Sequence, residues 1–324
     1  MATLSAPFLR IATPYAASAN NGNWRTAARW AKLLHDRFRV IVQTPGEGKR
    51  GHAAPECLIA LHARRSHGVI RDWREAHPDG PLIVVLTGTD LYRDLAHSAE
   101  VCKSLDLADR LIVLQEDGVR HLPARHRRKA RVVYQSCRPL VPAVKAAGRL
   151  NCVMVAHLRP EKDPLTALRA WSHLAPEAAC SLTIVGDSRD PALAAPVREA
   201  MSVDRRIRWV GAQPHARTRQ LIKRAHLLLV PSLMEGGANV IVEAVTAGTP
   251  VLASRISGNV GMLGRDYPGY FPVGNGEALA ALLSRCVGEP RFYAGLQRGC
   301  RARRPLFDPR RERSSLLGIL AELL

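Results

Sequence analysis

Residues 230–254 read Val-Pro-Ser-Leu-Met-Glu-Gly-Gly-Ala-Asn-Val-Ile-Val-Glu-Ala-Val-Thr-Ala-Gly-Thr-Pro-Val-Leu-Ala-Ser. An apolar strand, Leu227 to Val230, runs into a Glu-Gly-Gly turn. The turn opens a helix, and Gly248-Thr249-Pro250 ends it before a second strand. A helix N-terminus carries N–H groups without intrahelical partners and a partial positive charge, so it can seat a phosphate. Gly236 and Gly237 let backbone approach a ligand closely. Glu235 and Glu243 bracket the helix start, and carboxylates accept hydrogen bonds from sugar hydroxyls. A diphosphate, a sugar and a ribose together describe a nucleotide sugar.

Outward from this stretch, apolar runs of strand length alternate with amphipathic runs of helix length. In the first half, strands are expected near 8–12, 39–44, 57–62, 82–87, 110–115 and 131–135, with helices near 24–36, 66–76, 98–107 and 116–121. In the second half, strands are expected near 152–157, 181–186, 207–211, 226–231 and 250–254, with helices near 164–174, 191–201, 215–224 and 238–247. Such alternation specifies an α/β fold with a doubly wound parallel sheet, here twice over. Residues 138–150 carry Pro139 and Pro142 and read as a linker between domains 1–137 and 151–305. Beyond 275 the pattern is helical to the end, and 306–324 forms an amphipathic terminal helix. In open α/β sheets ligands bind beyond the carboxyl ends of the strands, so the chemistry is sought there.

The strand, the Glu-(x7)-Glu helix start and the following Ala-Gly-Thr-Pro-Val resemble the retaining glycosyltransferases of the glycosyltransferase 4 type. The resemblance implies a GT-B fold: two Rossmann-like domains facing a cleft, with C-terminal helices crossing back onto the first. It assigns Glu235 to the donor sugar and Glu243 to the ribose, with Gly236, Gly237, Ala238 and Asn239 lining the turn. Members often read Gly-Arg-Leu-x-x-x-Lys-Gly after the first strand of the donor domain. Here the run is Ala156-His157-Leu158-Arg159-Pro160-Glu161-Lys162. Lys162 matches the diphosphate-holding Lys, His157 stands where Arg is usual, and Arg159 is the replacement cation. Such cations favour the charged leaving group as the sugar–phosphate bond breaks. Gly186 follows the next strand, either as a donor contact or as a tight-turn glycine. Arg255 follows the strand ending at Ser254 and is a further candidate.

On the acceptor side, Thr13 to Thr26 reads as a strand, a polar Gly-Asn loop and a helix start. Asn23 is the expected N-cap, and Asn20, Gly22, Asn23, Arg25 and Thr26 are candidates for holding a small oxyanion. His62, Arg64 and Arg65 follow the third strand, and Thr87, Thr89 and Asp90 the fourth. Many glycosyltransferase 4 members carry a His-Asp-like pair after that fourth strand; Thr89-Asp90 stands there instead. Asp90 is read as a group that orients water or a hydroxyl, or else as a loop cap.

These clusters narrow the resemblance. Asn-Asn-Gly-Asn-Trp-Arg-Thr-Ala-Ala-Arg-Trp, Ala-Leu-His-Ala-Arg-Arg-Ser, Leu-Thr-Gly-Thr-Asp-Leu-Tyr-Arg-Asp and Ala-His-Leu-Arg-Pro-Glu-Lys-Asp-Pro look like the selenosugar synthases of the selenoneine pathway. That family implies transfer of a sugar, typically N-acetylglucosamine, from a uridine diphosphate (UDP) sugar to the selenium of selenophosphate. It implies these two substrates and no cofactor. It also links the chain functionally to an enzyme supplying selenophosphate and one consuming the selenosugar. The alternatives are a conventional glycosyltransferase acting on a sugar, lipid or small-molecule hydroxyl, and a GT-B epimerase.

Composition weighs against other classes. The chain has 324 residues and a net charge of +19, which raises the question of nucleic acid. Yet basic residues are spread along the chain, and aromatics are only 5%, too few to interleave with them for base stacking. Of the 47 basic residues, 40 are Arg and 7 Lys, a compositional bias. One basic run, Arg125 to Lys129, is expected in a loop. Seven scattered cysteines without a Cys-x-x-Cys pair point to reduced thiols in a cytoplasm, several of them buried. No metal-ligand motif, membrane span or secretory signal is read.

Overall fold

The computed structural model describes residues 6–16, 18, 21–44, 55–188 and 190–324. Asn20 lies outside the described residues. The chain divides into two compact units, Met1–Gln135 with Pro309–Leu324, and Ser136–Asp308.

Among the described residues the first unit has strands β1 (Phe8–Ala12), β2 (Arg39–Gln43), β3 (Cys57–Leu61), β4 (Leu82–Leu86), β5 (Arg110–Val113) and β6 (Ala130–Val132). Its helices are α1 (Gly22–Leu34), α2 (His67–Ala76), α3 (Thr89–Tyr92), α4 (Ala99–Leu107), α5 (Gly118–His121) and α6 (Ala124–Arg127). The strands are parallel, in the order β2-β1-β3-β4-β5-β6. Every residue of β3 and β4 is buried, as expected for central strands covered by helices on both faces. Trp30 and Leu34 of α1 pack on one face with Leu9, Ile11 and Ile59, while Ile70, Trp73 and Val101 pack on the other.

The second unit has β7 (Leu150–Val155), β8 (Cys180–Val185), β9 (Ile207–Trp209), β10 (Leu227–Val230), β11 (Val251–Ser254) and β12 (Tyr270–Phe271). Its helices are α7 (Pro164–Ser172), α8 (Pro191–Val203), α9 (His215–Arg224), α10 (Asn239–Ala247), α11 (Ser257–Leu263), α12 (Gly276–Gly288) and α13 (Pro290–Arg303). The parallel order β12-β11-β10-β7-β8-β9 reverses direction between β7 and β10. In the first unit the reversal falls between β1 and β3. At such switch points adjacent strand ends carry loops that leave in opposite directions, which opens a ligand crevice.

The last helix, α14 (Pro309–Ala321), belongs to the first unit. Its Leu316, Ile319 and Leu320 join the core under α1 and β1. Buried Glu312 accepts from Trp30 Nε1 at 2.7 Å and pairs with Arg29 Nε at 3.0 Å.

Several local expectations change. Asn21, not Asn23, caps α1, its side chain accepting from Trp24 N–H; Asn23 already lies in the first turn. A cap must precede the first helical residue, and the helix starts two residues earlier than the apolar pattern suggested. Arg125 to Arg127 of the basic run lie in α6 and not in a loop, and Arg128 and Lys129 form the turn after it. Arg127 donates to Leu122 O, Lys129 to Ala108 O, and His126 pairs with Asp106 at 2.6 Å. The segment 138–150 is clustered with the second unit, where Lys145 donates to the carbonyls of Lys223 and Ala225 at the end of α9. Cys57, Cys152 and Cys180 are buried in or at strands, and none of the seven cysteines forms a disulfide.

Candidate functional site

Two clusters sit at the carboxyl ends of the strands, one in each unit. In the second unit, the switch point brings the ends of β7 and β10 side by side, because β10 pairs directly with β7. After β7 the chain makes a 3-10 turn, Pro160–Lys162, closed by Asp163 in the left-handed region (φ 42°). Asp163 tolerates that conformation because its short carboxylate caps α7, accepting from Thr166 N–H. Leu233 N–H donates to Glu161 O at 2.9 Å, tying the loop after β10 to this turn. The result is a hydrogen-bonded ion pair of 2.6 Å between Lys162 Nζ and Glu235 Oε1. Ser232 Oγ donates to the same oxygen at 2.7 Å. Glu235 is 8% exposed and Lys162 remains partly open.

Residues 236–238 then lead into α10, whose N-cap Ala238 makes no side-chain cap bond. Glu243 lies one turn into α10, buried, with Oε1 accepting from His215 Nε2 at 2.8 Å. The loop is held from below. Ser254 Oγ donates to Ser232 O, and Asn259 Nδ2 donates to Ser254 O at 2.9 Å. A Cβ on Gly258 would fall 1.8 Å from Glu235 O, so only glycine lets α11 meet this loop.

The other donor-side candidates separate into roles. Arg159 is exposed at the start of the same turn as Lys162. His157, in the usual Arg position, accepts from Asp187 N–H at 3.1 Å and so joins the β7 and β8 loops. Gly186 has φ 148°, and a Cβ there would lie 1.8 Å from Ala156 O; the structure gives it a packing reason of its own. Arg255 is exposed with its guanidinium over the Tyr270 ring at 5.3 Å. Ser232 and His215 were not singled out by sequence. The visible signals were a Ser three residues before Glu235 and a His opening α9.

In the first unit, β3 and β4 end together. Asp90 is fully buried, and its carboxylate accepts the N–H groups of Ala63, Thr87 and Gly88 at 2.8–2.9 Å. It organises both loops from beneath. This corrects the reading of Asp90 as a catalytic group that orients water, since a buried carboxylate holding three N–H groups has no face toward a substrate. Thr87 contributes its N–H to that arrangement. His62 lies beside it with φ 71°, a conformation that costs a non-glycine residue about 1–3 kcal/mol. The ring is buried, and Nε2 lies 3.0 Å from Thr89 Oγ1. Burial lowers the basicity of the ring, outweighing the pull of Asp90, so it is neutral near pH 7.

Arg64 is half-exposed, 3.4 Å from Asp94 and 3.9 Å from Glu100. Arg65 lies over the Tyr15 ring at 5.1 Å. At the start of α1, Gly22 is exposed, and Asn23 and Arg25 are partly so. Thr26 is a correction: it is 1% exposed, donates to Gly22 O at 2.9 Å and accepts from Gln135 Nε2 at 2.6 Å. Its hydroxyl braces the helix start inside the core and has no face toward a ligand. Among the described residues no group of three or more His, Cys, Asp or Glu could hold a metal ion. No described helix is long and apolar enough to cross a membrane.

Residues 143–298 match the family Glycosyl transferases group 1. The matched segment covers just under half of the chain. It contains the Lys162–Glu235 pair, Glu243 and all of α10. D-inositol 3-phosphate glycosyltransferase from Nocardia farcinica is 31% identical over 121 residues, 35% of this chain and 27% of that protein. The amylovoran biosynthesis glycosyltransferase AmsK of Erwinia amylovora is 29% identical over 147 residues, 42% of this chain and 35% of that protein. The alignments thus span only about a quarter to a third of these relatives' lengths. Anabaena HepE, crystallised with UDP and glucose, superposes with a TM-score of 0.78 at 16% identity, covering 98% of this chain and 100% of that one. Sucrose-phosphate synthase from Thermosynechococcus elongatus gives 0.80 at 16% identity, covering 98% and 99%. At that identity the likeness establishes the fold, two six-stranded parallel sheets of GT-B type.

Proposed function

We propose that the chain is a glycosyltransferase that takes its sugar from a UDP-sugar. The observation that carries this reading is the Lys162–Glu235 pair at the switch point of the second sheet, on the loop that leads into the N-terminus of α10. A cation and a helix N-terminus suit a diphosphate, which becomes more charged as its bond to the sugar breaks. Lys162, aided by Arg159, binds that leaving group. Glu235 accepts from a sugar hydroxyl, and Glu243 from the ribose. The UDP bound in Anabaena HepE supports the choice of nucleotide.

The acceptor we propose is selenophosphate, and the sugar N-acetylglucosamine. This finer reading rests on the resemblance of the four strings to selenosugar synthases and on the cations Arg25, Arg64 and Arg65 in the first unit. Selenium attacks the anomeric carbon, the bond from that carbon to the diphosphate oxygen breaks, and UDP leaves with the electron pair. Water then cleaves the phosphorus–selenium bond, giving phosphate and the selenosugar selenol. Selenium in selenophosphate is already nucleophilic, so the site needs no strong general base. Its product is oxidisable, which suits a reducing compartment and cysteines that form no disulfide.

A second reading is a phosphorylated polyol acceptor whose hydroxyl attacks the anomeric carbon as UDP leaves, favoured by the named activity of the Nocardia relative. An anaerobic incubation with UDP-N-acetylglucosamine and either selenophosphate or D-inositol 3-phosphate, read by mass spectrometry, separates the two. A selenium isotope pattern on a hexosamine, dependent on both substrates, is the expected result. A hexosaminyl inositol phosphate in its place selects the second reading, and no transfer to either acceptor removes both.

A further inference from the structure

We infer that Thr89 presents its hydroxyl proton to an oxygen of the anionic acceptor, and that His62 is the positioning residue that turns it outward. The inference rests on the reading of the first unit as the acceptor side and deepens it.

His62 is held at four points. Its N–H donates to Val85 O at 2.8 Å, and its C=O accepts from Ser66 N–H at 3.0 Å. Its ring Nδ1 accepts from Arg65 N–H at 3.3 Å. Its ring Nε2 meets Thr89 Oγ1 at 3.0 Å. The third contact decides the fourth. A backbone N–H can only donate, so Nδ1 must carry the lone pair, and a neutral ring then carries its proton on Nε2. That proton points at Thr89 Oγ1, which is therefore an acceptor in this contact. The Thr89 hydroxyl hydrogen must be directed elsewhere, and Thr89 is partly exposed at the carboxyl end of the sheet.

The surroundings enforce the choice. Asp90 Oδ2 lies 3.8 Å from Nδ1, too far for a hydrogen bond, and is already bonded to Ala63 N–H. Asp90 also fixes the backbone of Gly88, immediately before Thr89. A non-glycine residue kept at φ 71° and buried needs its surroundings to over-determine it, and such outliers cluster where a site is pre-organised. The function that fits is a directed hydroxyl donor aimed at an oxyanion.

Two measurements on the whole chain test this. Long-range nitrogen-15 spectra of labelled histidine at pH 7, assigned with His62→Gln, report the tautomer directly. The expected signal is a neutral ring protonated at Nε2; a ring protonated at Nδ1 overturns the inference. Steady-state transfer from UDP-N-acetylglucosamine to selenophosphate is the second. Thr89→Val is expected to lower kcat/KM for selenophosphate by about 10- to 100-fold with UDP affinity unchanged, and Thr89→Ser to recover most of it. In the Thr89→Val background, His62→Phe is expected to cost no further activity. Wild-type activity in Thr89→Val, or a full additional loss from His62→Phe in that background, overturns the positioning role. A wild-type chain that fails to bind UDP would instead refute the proposed function, and the tautomer signal would still stand or fall by itself.

Discussion

Ser232 and Lys162 both donate to one carboxylate oxygen of Glu235. Ser232 only orients, because it is buried behind Glu235. Ser232→Ala removes one hydrogen bond worth about 0.5–1.5 kcal/mol, so a rise of roughly two- to tenfold in the donor KM is expected from initial-rate measurements. The pH response of His62 belongs to this scale too. Its folded-state pKa lies below the ordinary 6.5 because burial disfavours the charged ring; Asp90 and Asp94 pull it up and Arg65 pushes it down. Below about 6.5 the unfolded chain binds the proton that the folded chain refuses, so stability present above that pH is lost as the pH falls through the folded value. The melting-temperature advantage of wild type over His62→Gln should therefore shrink between pH 7.5 and pH 5 in thermal scans. A constant difference across that range would contradict the assignment.

At the scale of elements, one glycine bears the geometry. Gly258 lets α11 pass within contact of the Glu235 carbonyl, where a Cβ would fall 1.8 Å away. Gly258→Ala must displace the loop that carries Glu235, and overpacking of this kind costs about 1–3 kcal/mol. A lowered melting temperature together with weakened UDP binding is expected; unchanged binding would show that the loop has slack. The strands and long helices were legible because buried parallel strands are continuous apolar runs and their helices are periodic. Asn21 and Asn23 were not distinguishable from sequence, since either can cap and only the observed start of α1 decides. The two-residue β12 and the short α11 carry too few residues for a periodicity. Lys162, Glu235 and Glu243 were picked out by the family resemblance, and the structure sets Lys162 against Glu235 at 2.6 Å and Glu243 against His215 at 2.8 Å. Sequence gives residue type but not facing, so it left an orienting group and a loop cap both open for Asp90, which is spent on three backbone N–H groups, and read as ligand-facing a Thr26 that is spent on Gly22 and Gln135.

At the scale of the whole molecule, the chain returns to its first unit with its last helix. α14 supplies Leu316, Ile319 and Leu320 to that core and Glu312 to Arg29 and Trp30. Glu312→Ala leaves the Trp30 indole N–H without its buried acceptor and the partly exposed Arg29 guanidinium without its carboxylate, at a cost of about 1–3 kcal/mol. Denaturant unfolding should show that loss in the transition of the first unit, and an unchanged midpoint would refute it. The central claim, that the second unit's switch point holds a uridine diphosphate, is tested most directly by calorimetric titration of UDP into the wild-type chain and the variants Lys162→Met, Glu243→Ala and Arg64→Ala. The account predicts binding to wild type, at least about tenfold weaker binding to the first two variants, and unchanged affinity for Arg64→Ala. No binding to wild type, or equal affinity in all four proteins, would contradict it.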